Sequence, residues 1–150
     1  MPESFNLAIM KSTIIRPELI TLNSNIQPSG KLTFFEGLEA FPFPIKRAFW
    51  ISEVPDGEQR GVHAHKKENQ LLICLHGRVN VKLECLDKML IEFSLEQAER
   101  GLVLPPLVWS SVTFEKDALL LVLADQPFDE RDYIREKVEF ERIQEEYLNN

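Results

Sequence analysis

Two histidines, His63 and His65, stand one residue apart in a segment whose composition is otherwise that of a hydrophobic strand. Residues i and i+2 of a strand point to the same face, so both imidazoles share a face with Gly61, while Val62 and Ala64 take the other. An imidazole has an unperturbed pKa of about 6.5, which suits it to acid–base catalysis near neutral pH and to metal binding. The pair could therefore act as catalysts, as metal ligands or as hydrogen-bonded structural residues.

The set of metal ligands available around this pair is small. The chain has three histidines, and the third, His76, lies beside Gly77 at a turn. A stable divalent site typically needs three or four ligands, and two imidazoles with the neutral amide of Gln70 form a weak set. We therefore expect no metal and no cofactor. A catalytic and a structural role for the pair both stay open.

The elements that would position the histidines are short strands. Between residues 79 and 85 apolar and polar residues alternate, and this period of two predicts a strand with one buried face. The apolar segment before it, with Gly77 between the two, predicts a hairpin over 70–86. Pro17 predicts that the extended segment 12–22 is an edge strand rather than a central one.

The C-terminal tail differs from the rest of the chain in composition. It is rich in helix formers and acidic residues, Asp129 is expected to cap a helix, and Phe140, Ile143 and Tyr147 fall on one apolar stripe. Many short antiparallel strands followed by one helix predict an all-β jelly-roll β-barrel with a C-terminal α-helix. Because the sequence has no repeats and no linker, we expect a single domain over residues 1–150.

Composition and charge exclude several classes of function. The chain has 150 residues and a net charge of −7, without a cluster of Lys and Arg, so no nucleic-acid partner is expected. No apolar run approaches the roughly 20 residues that span a bilayer, and the N-terminus lacks the pattern of a signal peptide. Cys74 and Cys85 are the two cysteines, and we expect buried, reduced thiols. These features indicate a cytoplasmic protein without a membrane partner.

The spacing around the histidines resembles the first motif of the cupin fold. Five positions match, namely Gly57, His63, His65, Gln70 and Gly77. Metal-binding cupins usually have Glu where this chain has Gln70. Residues 101–111 supply the glycine and the prolines of the second cupin motif, but no histidine. The resemblance therefore implies a cupin-type jelly roll with an incomplete set of metal ligands.

A narrower resemblance covers residues from about 32 to 143. The blocks RGVHAHK, GLVLPPLVW and DYIR are similar to those of the dTDP-sugar 3,4-ketoisomerases, the FdtA/QdtA or WxcM-like group. This implies a metal-independent isomerase that moves the keto group of a dTDP-4-keto-6-deoxyhexose from C4 to C3 through an enediol. Such products feed the biosynthesis of deoxysugars in lipopolysaccharide and related glycans. The resemblance also implies a homodimer in which an N-terminal strand, here within residues 12–22, is exchanged between subunits.

The family resemblance implies roles for charged residues near the motif. His63 and His65 would be catalytic, one removing the C3 proton and the other assisting at oxygen, with the assignment between them open. Arg60 and Arg47 are candidates for binding the diphosphate or the developing enolate charge. Surface or ion-pair roles are the alternative for both arginines.

Other residues complete the expected site. Trp109 could stack on thymine or on the sugar, with core packing at the double-proline corner as the alternative. Gln70 and Phe49 are expected to contact substrate, and no residue is expected to bind a metal. Tyr133 and Arg135 of the DYIR block are expected to dock the C-terminal helix.

The chain departs from the family pattern at several positions. Ser29 stands where an arginine is common, Phe49 and Trp50 lie where a tyrosine is usual, and Ser110 follows the Trp where several members have His. Two alternatives therefore stay open. One is a non-catalytic nucleotide-sugar or carbohydrate-binding module, and the other is an epimerase. The missing hydroxyls at residues 49 and 50 argue against the epimerase, which needs an acid opposite its base.

Overall fold

The computed structural model describes residues 15–150 of the chain. The strands are β1 (Glu18–Thr21), β2 (Asn23–Gln27), β3 (Gly30–Phe34), β4 (Arg47–Ile51), β5 (Gln59–His65), β6 (Gln70–His76), β7 (Val79–Glu84), β8 (Leu90–Leu95), β9 (Arg100–Leu104), β10 (Trp109–Phe114), β11 (Leu119–Ala124) and β12 (Tyr133–Ile134). A 3₁₀ turn, Glu130–Asp132, precedes β12, and the helix α1 (Lys137–Asn149) follows it.

The strands form two five-stranded sheets and a separate hairpin. The first sheet has the order β1-β9-β6-β11-β4 and the second has the order β12-β5-β10-β7-β8. The hairpin of β2 and β3 pairs with neither sheet. The predicted all-β jelly roll with a C-terminal helix is confirmed, although hydrogen bonds do not join the sheets into a closed barrel.

The main core lies between the two sheets. It is built from side chains that alternate along strands of both sheets, and its fully buried members include Val79, Val81, Leu102, Phe114 and Leu120. A second apolar cluster covers the outer side of the first sheet, and a third lies between the second sheet and α1. The second sheet is therefore packed between the main core and the helix.

The hairpin predicted over 70–86 is wrong. β6 pairs with β9 and β11, whereas β7 pairs with β8 and β10, so the two strands belong to different sheets. Gly77 turns the chain from one sheet to the other with a φ of +71°, and a Cβ there would lie 2.9 Å from Ala118 Cα. The physical reason is burial, because β6 is covered on both faces while β7 alternates.

The N-terminal strand is an edge strand, as Pro17 predicts. β1 pairs with β9 of the same chain, with Glu18 opposite Val103. Residues 12–14 of the segment expected to be exchanged lie outside the described residues, as does most of the N-terminus that lacks a signal-peptide pattern. Exchange of this segment between subunits stays a prediction.

The tail enters its helix later than the sequence predicts. Asp129 accepts a hydrogen bond from Arg131 N and so caps the 3₁₀ turn rather than α1, which begins at Lys137. Between the two, Tyr133 and Ile134 extend the second sheet, in keeping with the strand preference of these residue types. The predicted apolar stripe is buried, with Phe140, Ile143 and Tyr147 packed against the second sheet.

Two further features bear on the environment of the protein. No helix within residues 15–150 has both the length and the apolar character needed to cross a membrane. Cys74 and Cys85 are free thiols and are buried. Burial raises the pKa of both thiols, which keeps them protonated and suits them to packing rather than to chemistry.

Candidate active site

A β-bulge in β5 decides which side chains share a face with the histidines. On the neighbouring strand β10, His63 lies opposite Ser110 and Arg60 lies opposite Val112, with a shift of register between these pairs. Directly opposite residues point to the same side of a sheet, and Val112 belongs to the main core. The bulge therefore turns Arg60, which is exposed near the start of β5, to the same side of the sheet as His63. Gly61 holds it at a φ of +66°, a left-handed conformation that favours glycine.

His65 is held at both of its ring nitrogens. Its side chain is 5% exposed. Nδ1 lies 2.9 Å from Asp132 Oδ2, and Nε2 lies 3.4 Å from Glu68 Oε2 and 3.3 Å from Gln70 Nε2. With both nitrogens engaged, His65 can orient and polarise its neighbours, but it has no free nitrogen for a substrate.

Asp132 reaches His65 from the end of the 3₁₀ turn. Its Oδ1 also accepts a backbone hydrogen bond from Lys67 N at 2.8 Å. Burial opposes ionisation of Asp132, but the hydrogen bonds from His65 and from the backbone outweigh it and hold the pKa below its usual range. A carboxylate that stays charged fixes the orientation of the His65 ring and favours a proton on Nδ1.

Glu68 is the most buried carboxylate of this cluster, at 2% exposure. Arg47 donates to its Oε1 at 2.9 Å, and the amide of Gln70 donates to its Oε2 at 2.6 Å. Burial raises the pKa of Glu68, and His65, Gln70 and Arg47 act against that shift. A buried carboxylate needs such partners. The result is a continuous chain of contacts from Arg47 through Glu68 and His65 to Asp132.

His63 differs from His65 because neither of its ring nitrogens is hydrogen-bonded within residues 15–150. Its ring packs edge-on against the rings of His65 and Tyr133, with both pairs of centroids 4.9 Å apart. Burial, followed by electrostatic interactions with His65 and Arg135, lowers the pKa of His63 to about 4. His63 is therefore neutral at neutral pH, which is the form that accepts a proton.

Tyr133 is brought to the histidines by β12, where it lies directly opposite His65. The centroids of these two rings are 4.4 Å apart, and the Arg135 guanidinium lies 4.3 Å from the centroid of the Tyr133 ring. Ile134, between them, is the residue of β12 that packs beneath α1. The prediction that Tyr133 and Arg135 dock the helix is therefore wrong, because Tyr133 packs against the histidines and Arg135 pairs with Glu130.

Arg47 and Phe49 lie at the edge of the same cluster. The Arg47 guanidinium is 4.9 Å from the centroid of the Phe49 ring and 5.5 Å from that of Phe128. Phe128 is 63% exposed, and its ring centroid is 5.9 Å from that of Tyr133. The structure thus brings Arg47, Phe49 and Gln70 together with the histidines. It pairs Arg47 with Glu68, which is the ion-pair alternative for that arginine.

Trp109 and Ser110 point to opposite faces of β10. The Trp109 ring is 5.7 Å from the ring of Phe140, centroid to centroid, and Lys137 Nζ lies 5.3 Å from it. This is the core-packing alternative, and the structure does not bring Trp109 to the histidines. Ser110 is buried on the interior face and donates to the carbonyl oxygen of Gly61 at 2.7 Å, which supports the bulge.

Sequence reasoning missed two acids and two aromatic residues of the cluster: Glu68, Asp132, Phe128 and Tyr133. Glu68 lies three residues after His65, in the connection between β5 and β6. Its closeness to His65 could therefore have been inferred from the sequence. Asp132 is 67 residues from His65, and no local pattern joins them. Within residues 15–150, no three or more His, Cys, Asp or Glu side chains are grouped to hold a metal ion.

Comparison with known proteins gives relatives over nearly the whole chain. The family described as FdtA, WxcM-like C-terminal, matches residues 15–145. The TDP-4-oxo-6-deoxy-alpha-D-glucose-3,4-oxoisomerase of Aneurinibacillus thermoaerophilus is 36% identical over 126 residues, which cover 83% of this chain and 90% of that protein.

The chain is also similar to solved structures of sugar 3,4-ketoisomerases. QdtA of Thermoanaerobacterium thermosaccharolyticum, a sugar 3,4-ketoisomerase in complex with TDP, has a TM-score of 0.82 and 36% identity, covering 89% of this chain and 98% of its own. WlaRB of Campylobacter jejuni, a TDP-quinovose 3,4-ketoisomerase, has a TM-score of 0.79 and 32% identity, covering 86% and 99%. The resemblance noted in the sequence, and the isomerase class that it implies, are confirmed. The chain belongs to the FdtA, WxcM-like family of TDP-sugar 3,4-ketoisomerases.

Proposed function

We propose that this chain catalyses the 3,4-ketoisomerisation of a TDP-linked 4-keto-6-deoxyhexose, the type of reaction in the names of its relatives. The observation that supports it best is His63, a neutral imidazole on the interior face with both nitrogens unbonded within the described residues. A 4-ketone acidifies the proton on C3, and a neutral imidazole within reach removes it to give an enediol. Protonation of C4 and loss of the O3 proton then give the 3-keto product.

The different hydrogen bonding of the two histidines suggests different roles for them in the reaction. We assign His63 as the base that takes the C3 proton, and His65 as a positioning residue whose ring is fixed by Asp132 and Glu68. Arg60 is the candidate for the diphosphate, because it lies on the same side of the sheet as His63 and has no ion pair within residues 15–150. A guanidinium offers several donors in a geometry that matches phosphate oxygens.

The proposed reaction uses no metal and no other cofactor. The donor set supports this, since a divalent site typically needs at least three protein ligands. Both nitrogens of His65 are already engaged by carboxylates or by Gln70, which leaves His63 as the one available imidazole of the pair. Proton transfer by side chains is sufficient for a reaction that changes no oxidation state overall.

Incubation with TDP-4-keto-6-deoxyglucose in heavy water, followed by proton NMR of the sugar, tests this function. We expect a 3-keto product with deuterium at C4, because the proton held by the base exchanges with solvent in the enediol state. A protein that binds TDP but gives neither product nor loss of the C3 proton signal would be a nucleotide-sugar-binding module without catalysis. That outcome would overturn the isomerase proposal.

We also propose that the chain forms a homodimer. Apolar side chains are exposed on the hairpin that joins neither sheet and on the edge strand β4, with Ile26 at 74%, Leu32 at 64% and Trp50 at 67%. Exposed apolar groups of this size favour burial against a partner, and exchange of residues 12–22 would add to that interface. Light scattering is expected to give about twice the mass of one chain, and a monomeric mass would contradict the proposal.

A cytoplasmic location and a place in deoxysugar biosynthesis complete the proposal. Free buried thiols at Cys74 and Cys85 support the first, because reduced cysteines are typical of the cytoplasm. The second follows from the product, since a 3-keto sugar has the carbonyl that an amino-transfer reaction to C3 requires. Recovery of the protein in a periplasmic or membrane fraction would contradict the location.

A further inference from the structure

Leu107 has a backbone conformation that leucine rarely adopts. Its φ is +57°, in the left-handed region, where a residue with a Cβ is strained and glycine is favoured. Within residues 15–150, the other non-glycine residues with a positive φ are Glu53, Lys88 and Asp117, all of them exposed. Leu107, in contrast, is 3% exposed. A strained conformation at a buried position persists only where the surrounding contacts hold it in place.

The backbone N–H of Leu107 holds the end of β5, the strand that carries both histidines. It donates to the carbonyl oxygen of His65, the last residue of that strand, at 2.7 Å. The preceding residues 105–106 are prolines without an N–H, so Leu107 offers the first backbone donor after this corner. On the other side of β5, Lys66 N donates to the carbonyl oxygen of Asp132 at 2.8 Å. The end of the strand is therefore held from both neighbouring segments.

The side chain of Leu107 supplies the contacts that oppose the strain. It is buried in the cluster between the second sheet and α1, together with Ala64, Ile134 and Phe140. Burying a leucine side chain is favourable, whereas the left-handed backbone by itself is not. If the side chain were lost, the backbone would relax toward an ordinary conformation and move the N–H away from His65. The burial beneath α1 and the hydrogen bond to β5 thus depend on one another.

We propose that Leu107 is a positioning residue for the isomerisation, because it fixes the point at which β5 presents the His65 ring to the site. Contacts with Asp132 and Glu68 set the rotation of that ring, whereas the backbone hydrogen bond from Leu107 sets the position of the residue that bears it. A displacement of about 1 Å in such an arrangement can lower a rate by roughly 10². Leu107 acts through His65 rather than on the substrate. The inference rests on the proposed function.

Leu107→Ala tests the inference, because it keeps the N–H and the strain but removes the buried side chain. We expect kcat for TDP-4-keto-6-deoxyglucose to fall by roughly 10-fold or more, with KM changed only a few-fold, since Arg60 is untouched. Ile143→Ala is the matched control, because it removes an aliphatic side chain, 1% exposed, from the same cluster, and it should keep the parent kcat once folded. Leu107→Met, which conserves the side-chain volume, should also keep kcat.

Amide hydrogen exchange and ¹⁵N NMR of the His65 ring report on the hydrogen bond without turnover. The amide of residue 107 should lose its protection in Leu107→Ala and the ring signals of His65 should shift, while both stay unchanged in Ile143→Ala. Leu107→Ala with the parent kcat, or with the parent amide protection, would overturn the inference. A parent protein without turnover would overturn the proposed function instead, and the NMR comparison would still decide whether Leu107 positions His65.

If Leu107→Ala does not fold, as judged by circular dichroism, Leu107→Val takes its place. Valine keeps an apolar side chain that is one methylene smaller, but a β-branched residue at a positive φ is a far stronger outlier. The same loss of amide protection and of kcat is expected. A folded Leu107→Val protein in which both values are those of the parent would also overturn the inference.

Discussion

Replacing His63 with asparagine is expected to lower kcat by a factor on the order of 10² to 10⁴, the usual range for loss of a general base. The amide keeps a polar group of similar size but cannot accept the C3 proton. Affinity for TDP should change little, because Arg60, the proposed phosphate partner, is untouched. Proton NMR in heavy water should show that the C3 proton of TDP-4-keto-6-deoxyglucose persists, and isothermal titration calorimetry with TDP gives the affinity.

His76→Asn is the matched control, since His76 is exposed at the end of β6, outside the cluster. It should keep both turnover and binding. If His63→Asn retains turnover, the base has been assigned wrongly. If the substitution instead weakens TDP binding and leaves kcat unchanged, His63 is a ligand-binding residue.

The lowered pKa of His63 also sets the pH dependence of this base. Its neutral form predominates above a pKa of about 4, so kcat/KM should not fall on its account as the pH is lowered from 7 to 5. An unperturbed imidazole with a pKa of about 6.5 would already be mostly protonated at pH 5. An acid limb of kcat/KM with a midpoint near 6.5 would contradict a lowered pKa for His63.

Glu68→Ala is expected to destabilise the protein by about 3–5 kcal/mol, because it removes one partner of a buried ion pair. Glu68 is 2% exposed, and the substitution leaves Arg47 without its counter-charge, deprives Gln70 of an acceptor and removes the carboxylate beside His65. Urea unfolding followed by circular dichroism at pH 7 measures the free energy of unfolding. Glu141→Ala, at an exposed position of α1, is the matched control and should change that energy by no more than about 0.5 kcal/mol.

A double-mutant cycle separates the ion pair from the space that Glu68 fills. Arg47→Met should cost less in the Glu68→Ala background than in the parent, because the arginine has then already lost its partner. Residues in contact commonly show interaction energies of about 0.5–3 kcal/mol. Additive costs would mean that Arg47 and Glu68 do not stabilise one another, so their ion pair would contribute nothing measurable to the free energy of unfolding.

The shared face of His63 and His65 could be predicted because alternation along a strand is a local property. The pairing of β6 could not, since β9 and β11 take both of its edges and leave none for β7. Whether two neighbouring strands form a hairpin depends on which distant strands compete for them. That information is spread over the whole chain, and the local turn at Gly77 does not contain it.

The position of Arg60 illustrates a signal that was present but not used. A strict period of two places it on the face opposite the histidines, and the bulge at Gly61 reverses this. An isolated glycine inside a strand pattern is itself a sign of a bulge. Asp132 and Tyr133 had no comparable signal, because a short 3₁₀ turn and a two-residue strand between helix-forming residues are decided by what they pack against.

The chain of contacts from Arg47 to Asp132 has a consequence for how the protein is made. A chain emerges from the ribosome with its N-terminal part first, so β5 with both histidines is available well before the 3₁₀ turn that holds His65. Contacts between residues so distant in sequence form late, because the entropy of closing a long loop must be overcome first. The nascent protein therefore has its base before it has the scaffold that orients it. Catalytic competence arrives only when synthesis of the domain is nearly finished.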